Sequence, residues 1–141
     1  MALPTYVLVT PARNEAEYIE LTLKAVIAQT HRPLKWVIVS DGSTDGTREF
    51  LEKVESGETA FTDGEGRPVP VRVLFQPKNR GKGAAIRTGL AAANGDIVTV
   101  LDADLEYDPS DYRVLLEPIL AGDANVVYGT RSFGAHTAYS F

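Results

Sequence analysis

Acids crowd one short stretch of the chain, "LDADLEYDP", residues 101–109. Asp102, Asp104, Glu106 and Asp108 alternate there with Ala103, Leu105 and Tyr107, directly beyond the apolar run "DIVTVL" (96–101). In an extended segment, residues two apart point the same way, so Asp102, Asp104 and Glu106 are expected in one row. Carboxylates held that close repel unless a cation lies among them. Hard divalent ions such as Mg2+ and Mn2+ take oxygen ligands, commonly one or two carboxylates together with substrate phosphates. The plainer explanation is a helix N-terminus, whose dipole tolerates acids. Asp108, just before Pro109, fits that explanation as a cap.

Other segments carry weaker signals. "DGSTDGTREFLE" (41–52) puts Asp41, Ser43, Asp45, Gly46 and Glu52 at positions 1, 3, 5, 6 and 12 of a calcium-loop pattern. A strand-like run precedes it where a helix should, and Arg48 stands where that loop needs an apolar residue, so calcium is not expected. Asp41, directly after a buried run, reads better as an acceptor for a ribose hydroxyl or a base N–H. "KNRGKGAAIRTG" (78–89) resembles a phosphate loop, but Gln76 and Gly83 stand where that pattern needs Gly and Ser or Thr. A basic glycine turn opening a helix can still face an anion, with Lys82 and Arg80 as the contacts. Gly81 and Gly83 are equally well explained as a structural turn. In "PARNEAE" (11–17), Asn14 reads as a helix N-cap with acids in the first turn. Arg131 suits a phosphate through its fork of donors, or is a surface arginine. His31 and His136 lack metal-ligand spacing; His31 reads as a helix-end residue and His136 is unassigned.

The elements that must position these groups alternate regularly. Apolar runs at 5–10, 34–40, 71–76, 96–101 and 125–130 read as strands. Between them lie helical stripes. The first spans about Asn14 to Thr30, with Ile19, Leu23, Val26 and Ile27 on one face. The second is marked by Thr47, Phe50, Leu51 and Val54, with Ser43, Thr44 and Asp45 as cap candidates. The third carries the small-residue face Ala85, Ile86, Gly89, Leu90 and Ala93, suited to close packing on a sheet. The last bears Tyr112, Leu115, Leu116 and Ile119, kinks at Pro118 and ends at Gly122. Residues 56–70 are rich in Gly, Pro and acids and read as a loop or small hairpin. Continuous Val/Ile/Leu strands alternating with helices predict a parallel sheet covered on both faces, in a single domain over residues 1–141. Ligands collect at the carboxyl ends of such strands, where all five polar segments would converge.

Bulk properties narrow the function classes. With 141 residues, 44% hydrophobic and 23% charged, the chain is an ordinary globular domain. A net charge of −5 offers no basic field for nucleic acid. The absence of cysteine excludes disulfides, zinc–thiolate sites and thiol nucleophiles, and suits a cytoplasmic setting. No window approaches the roughly 20 apolar residues of a membrane span.

"VLVTPARNEAE", "WVIVSDGSTDGT", "NRGKGAAIRTGLAAANGDIVTVLDADLE" and "VVYGTRSF" occur in this order, each around or after a strand. As an ordered set they resemble the family-2 glycosyltransferases, most closely the polyprenyl-phosphate (dolichyl-phosphate) mannose or glucose synthases. The resemblance implies a GT-A fold: an open, mainly parallel Rossmann-like sheet with helices on both faces. It implies a GDP- or UDP-sugar donor, transfer with inversion, a polyprenyl-phosphate acceptor at a membrane surface, and Mg2+ or Mn2+. Pro11, Arg13 and Glu15 match the segment lining the nucleotide pocket. Val39 and Asp41 match positions holding the base and ribose. Asp102, Ala103 and Asp104 match the D-x-D element, with Asp104 and Glu106 on the metal. Lys82 joins the donor contacts, and Arg131 matches an arginine near the diphosphate and sugar.

Family members continue past the equivalent of Phe141 with acceptor-binding and membrane-contacting parts. The chain is therefore expected to be the donor-binding part of a longer enzyme at the cytoplasmic face of a membrane. No residue stands out as a general base. Two other classes remain open. A sugar-phosphate nucleotidyltransferase shares the layout, but "TPARNEAE" lacks the glycine-rich start of that class. The other is a catalytically incomplete nucleotide-binding module.

Overall fold

A computed structural model describes residues 5–59, 62 and 65–129. The chain divides into two compact units, one up to Ser110 and one from Asp111 onward. The first holds strands β1 (Tyr6–Ala12), β2 (Lys35–Asp41), β3 (Val71–Gln76) and β4 (Ile97–Val100) with helices α1 (Ile19–Ile27), α2 (Thr47–Ser56) and α3 (Lys82–Ala92). The second holds α4 (Tyr112–Leu120), which accommodates Pro118 and closes at Gly122, whose N–H donates to the Ile119 carbonyl at 3.1 Å.

The four strands form one parallel sheet in the order β3-β2-β1-β4. Alternation splits its residues between two faces. Val7, Val9, Val37 and Val39 share one face with Ala85 of α3 and are fully buried. Gly89 makes this approach possible: a Cβ there would lie 2.4 Å from Val9 Cγ1. Leu8, Trp36 and Ile38 belong to the other face, and Trp36 Nε1 donates to Thr10 Oγ1 at 2.8 Å. Phe75, on that same face by register, lies beneath the Arg48 guanidinium of α2 at 5.1 Å. Burial pushes the Tyr6 phenol up to about 12, so it stays protonated and donates to the His31 carbonyl at 2.8 Å. Burying each large apolar side chain of this set contributes on the order of 1.5–3 kcal/mol.

Three expectations change. The first helix starts at Ile19 rather than near Asn14, because Asn14 sits at φ +53°, a left-handed conformation that asparagine tolerates and a helix start does not. The expected fifth strand is missing over 125–129: Val126 and Tyr128 are exposed, and no ladder among the described residues includes them. A strand exists only through a partner's hydrogen bonds, and apolar content alone does not supply one. The acids do not run as an extended row. The Glu106 N–H donates to Asp104 Oδ1 at 3.1 Å and Leu105 turns to φ +61°, so the segment reverses just after Asp104. Aspartate favours this local turn over an extended run because its short side chain reaches the backbone two residues on.

Candidate functional site

The strand ends converge on a cleft of about 310 Å³ inside the first unit. Pro11, Ala12, Arg13 and Glu15 line it after β1, Asp41 after β2, Asn79, Gly81, Lys82 and Ala85 around the start of α3, and Asp102, Ala103 and Asp104 after β4. Eight residues expected at a donor site are thus gathered in one place: Pro11, Arg13, Glu15, Asp41, Lys82, Asp102, Ala103 and Asp104. Val39 is fully buried in the core beneath α3 and is not among the lining residues. Glu106 is not among the lining residues. Arg131 and His136 fall outside the described residues.

Asp41 is 3% exposed, and hydrogen bonds engage both its oxygens. Oδ1 accepts from Gln76 Nε2 at 2.7 Å and from the Arg80 N–H at 2.8 Å, and Oδ2 accepts from the Gly81 N–H at 2.9 Å. A carboxylate accepts about four hydrogen bonds, so roughly one lone pair is left for the cleft. Arg80 therefore acts here through its backbone. Gly42 is required at this junction. It sits at φ +67°, and a Cβ on it would lie 2.4 Å from the Asn79 nitrogen.

The rest of the "DGSTDGT" turn holds the loop that carries Arg13 and Glu15. Asn14 Oδ1 accepts from the Thr44 N–H at 2.8 Å, and the Asn14 N–H donates to Ser43 Oγ at 3.2 Å. The Glu15 N–H donates to Thr47 Oγ1 at 2.9 Å, and the Ala16 N–H to Asp45 Oδ2 at 3.1 Å. Asp45 Oδ1 also accepts from the Thr47 N–H and hydroxyl, which satisfies the first N–H of α2 from just before its N-cap Gly46. Burial acts to raise the Asp45 carboxyl, but these hydrogen bonds outweigh it and hold the group below the usual range. Sequence reasoning missed these clasps. It also missed Gln76, whose one visible sign is a polar residue ending an apolar strand.

On the opposite wall, Lys82 Nζ pairs with Asp102 Oδ2 at 2.6 Å, with the lysine side chain 60% exposed. Ala103 is buried, and its carbonyl accepts from Thr22 Oγ1 of α1 at 2.9 Å. Arg13 is exposed, with no ion pair among the described residues. Glu15 is pushed above the usual carboxylate range, first by burial and then by the charges of Asp104, Asp45 and Asp102. This region therefore holds more negative charge than its neighbours neutralise. Its donors are carboxylate oxygens, the set that suits a hard divalent cation. No three His, Cys, Asp or Glu converge among the described residues. One or two carboxylates are what Mg2+ uses when phosphates supply further ligands, so the residues fit such an ion.

Comparison with known proteins agrees with this layout. Residues 7–137 match the family described as glycosyl transferase family 2. An uncharacterized glycosyltransferase of Nostoc sp. is 34% identical over 110 residues, which cover 78% of this chain and 31% of that protein. Among solved structures, the mannosyltransferase PcManGT from Pyrobaculum calidifontis, in complex with GDP-Man and Mn2+, superposes with a TM-score of 0.63. It is 29% identical, over 79% of this chain and 30% of that one. Glucosyl-3-phosphoglycerate synthase from Mycobacterium tuberculosis, with Mn2+, UDP and glucosyl-3-phosphoglycerate, gives 0.60 at 28% identity, over 83% of this chain and 40% of that one. The chain thus spans less than half the length of each. No helix among the described residues is long and apolar enough to cross a membrane.

Proposed function

The chain belongs to glycosyl transferase family 2, and on that footing we propose that its cleft is the donor site of an inverting glycosyltransferase. The donor is a nucleoside-diphosphate sugar, GDP- or UDP-linked. One observation carries this reading: free Arg13, exposed Lys82 and the acids Asp102 and Asp104 line a single cleft at the strand ends. That mixture suits a ligand that is a diphosphate at its centre and comes with its own cation. Arg13 and Lys82 attract the diphosphate, Lys82 by exchanging Asp102 for phosphate oxygens. The remaining lone pair of Asp41 accepts from the nucleoside, while Pro11 and Glu15 bound the pocket.

Asp104 and Glu106 are the residues that would hold Mg2+ or Mn2+. A bound ion of this kind neutralises charge developing on the departing nucleoside diphosphate. Arg131 is assigned to the diphosphate and sugar on its match to the family motif, and Val39 acts from the core by shaping the floor under Asp41. The ordered motifs support a polyprenyl phosphate as acceptor, met at the cytoplasmic face of a membrane. Calorimetric titration with GDP and with UDP, each with Mn2+ and with chelator, tests the donor site. Metal-dependent binding of one nucleotide is expected. Equal, metal-independent binding of both, or of neither, overturns the reading.

A further inference from the structure

The acids after β4 hang on a single turn, and one buried side chain of α1 grips that turn at its middle. Thr22 is 2% exposed and lies 81 positions before Ala103 in the chain, yet its hydroxyl donates to the Ala103 carbonyl at 2.9 Å. The same hydroxyl lies 3.0 Å from the Tyr18 carbonyl, the intrahelical partner a helical threonine ordinarily takes. One hydroxyl proton serves one strong bond at a time, so the contact with Ala103 is made in competition with that local alternative. No other donor among the described residues reaches the Ala103 carbonyl. Ala103 itself is 2% exposed, so water cannot readily replace the threonine.

Leu101 is the last residue held to β1, its N–H donating to the Val9 carbonyl at 3.0 Å. Beyond Ala103 the Glu106 N–H donates to Asp104 Oδ1 within the turn at 3.1 Å, with Leu105 in the left-handed region at φ +61°. We propose that Thr22 is a positioning residue for the acidic turn. By fixing the Ala103 carbonyl it sets the angle at which Asp102 and Asp104, on either side, present their carboxylates to the cleft. The inference rests on the donor-site reading for its consequence, since the consequence is tighter capture of a cation with the nucleoside diphosphate.

Thr22→Val removes the donor and keeps the shape, and Thr22→Ser restores the donor. Ile27→Val perturbs the same buried face of α1 without touching Ala103, and serves as the structural control. Calorimetry with Mn2+ and whichever of GDP or UDP the parent binds should show Thr22→Val weakened about tenfold, the usual order for groups that orient metal ligands. Thr22→Ser and Ile27→Val should bind as the parent does, and chelator-resistant binding, if measurable, should be equal in all four. If Thr22→Val does not fold, Thr22→Ala makes the same removal.

Hydrogen exchange is the second readout and needs no ligand. The Glu106 amide should exchange about tenfold faster in Thr22→Val than in the parent or in Ile27→Val, because the turn opens more often. Parent-like binding in Thr22→Val, or equal weakening in Ile27→Val, overturns the assignment. A parent chain that binds no nucleotide sinks the donor-site reading instead, and the positioning role is then decided by exchange alone.

Discussion

The turns after β2 and β4 flank β1 in the sheet, and both are built around aspartates, yet their carboxylates are used in opposite ways. After β2, Asp41 and Asp45 accept six hydrogen bonds between them, from Gln76, Arg80, Gly81, Thr47 (two) and Ala16. Four of these bonds run to the end of β3, the start of α3 and the loop after β1, so the turn fastens neighbouring segments together. After β4, Asp102 meets one exposed lysine, and Asp104 accepts from its own turn. Those acids are left facing the cleft with unspent charge. A carboxylate surrounded by backbone N–H groups is a fastener, and one left facing a cleft with few donors is open to a cation. Acidity in the sequence does not separate the two roles; the supply of donors does.

The largest effect should come from removing a fastener. Asp41→Ala strands a buried Gln76 amide and the Arg80 N–H, and leaves the Gly81 N–H only Asn79 Oδ1, 3.0 Å away. Hydrogen bonds to a charged group are worth about 1.5–3 kcal/mol each, and losses within one network add incompletely, so about 3–5 kcal/mol of stability should go. Urea unfolding measures it directly. A loss under about 1 kcal/mol would mean that Asp41 is not a fastener and that the contrast between the turns is false.

The second effect should fall on binding and spare the fold. Asp104→Ala deletes a carboxylate that nothing but its own turn needs, so stability should change by no more than about 0.5 kcal/mol. Metal-dependent nucleotide affinity should fall by more than about 100-fold, because disturbing the mere orienters of a metal ligand already costs 10–100-fold. Calorimetry with Mn2+ present reads the loss and the unfolding curve reads the sparing. The pattern opposite to Asp41→Ala is the point: if Asp104→Ala unfolds the chain while affinity per folded molecule holds, the roles of the two turns are reversed.

The sheet was legible in the sequence, and the division of labour between its loops was not. Four strands announce themselves as Val/Ile/Leu runs, and Gly89 on a small-residue stripe announces where α3 meets the sheet. Eight cleft residues followed from two rules, that ligands gather at strand ends and that the ordered motifs resemble a family. What stayed hidden depends on contacts 30 to 81 positions apart: Asn14 with Thr44, Asp41 with Arg80, Thr22 with Ala103. No local spacing encodes such pairs. Asn14 was therefore read as a helix cap when it is a clasp between loops. Val39 was matched to the donor by motif, and strand alternation packs its side chain in the core with Val37 and Val9. The expected strand at 125–130 had apolar residues and, over 125–129, no partner among the described residues, which a one-dimensional pattern cannot distinguish from a strand that has one.

The smallest effect is a difference in sign between two acids of the same clasp, and pH reads it. Asp45 is held below the usual carboxylate range by its hydrogen bonds to Thr47 and Ala16. Its contribution to stability is therefore present above the unfolded value, about 3.9, and is lost as pH falls through the lower folded value. Glu15 is pushed above the usual range by burial and by Asp104, Asp45 and Asp102. Its ionised form opposes folding near neutrality, and that opposition is relieved as pH falls through its raised folded value. Lowering pH from neutrality should first raise the melting temperature slightly through Glu15, then lower it once Asp45 protonates. Glu15→Gln should flatten the upper limb alone and Asp45→Asn the lower limb alone, each in melting curves taken across that range at fixed ionic strength. Glu15 sits on a loop fastened by the β2 turn, yet its charge answers to the β4 turn across the cleft. If Glu15→Gln leaves the upper limb unchanged, the charge of Asp104 and Asp102 is not felt at Glu15, and the proposed cation site loses that electrostatic support.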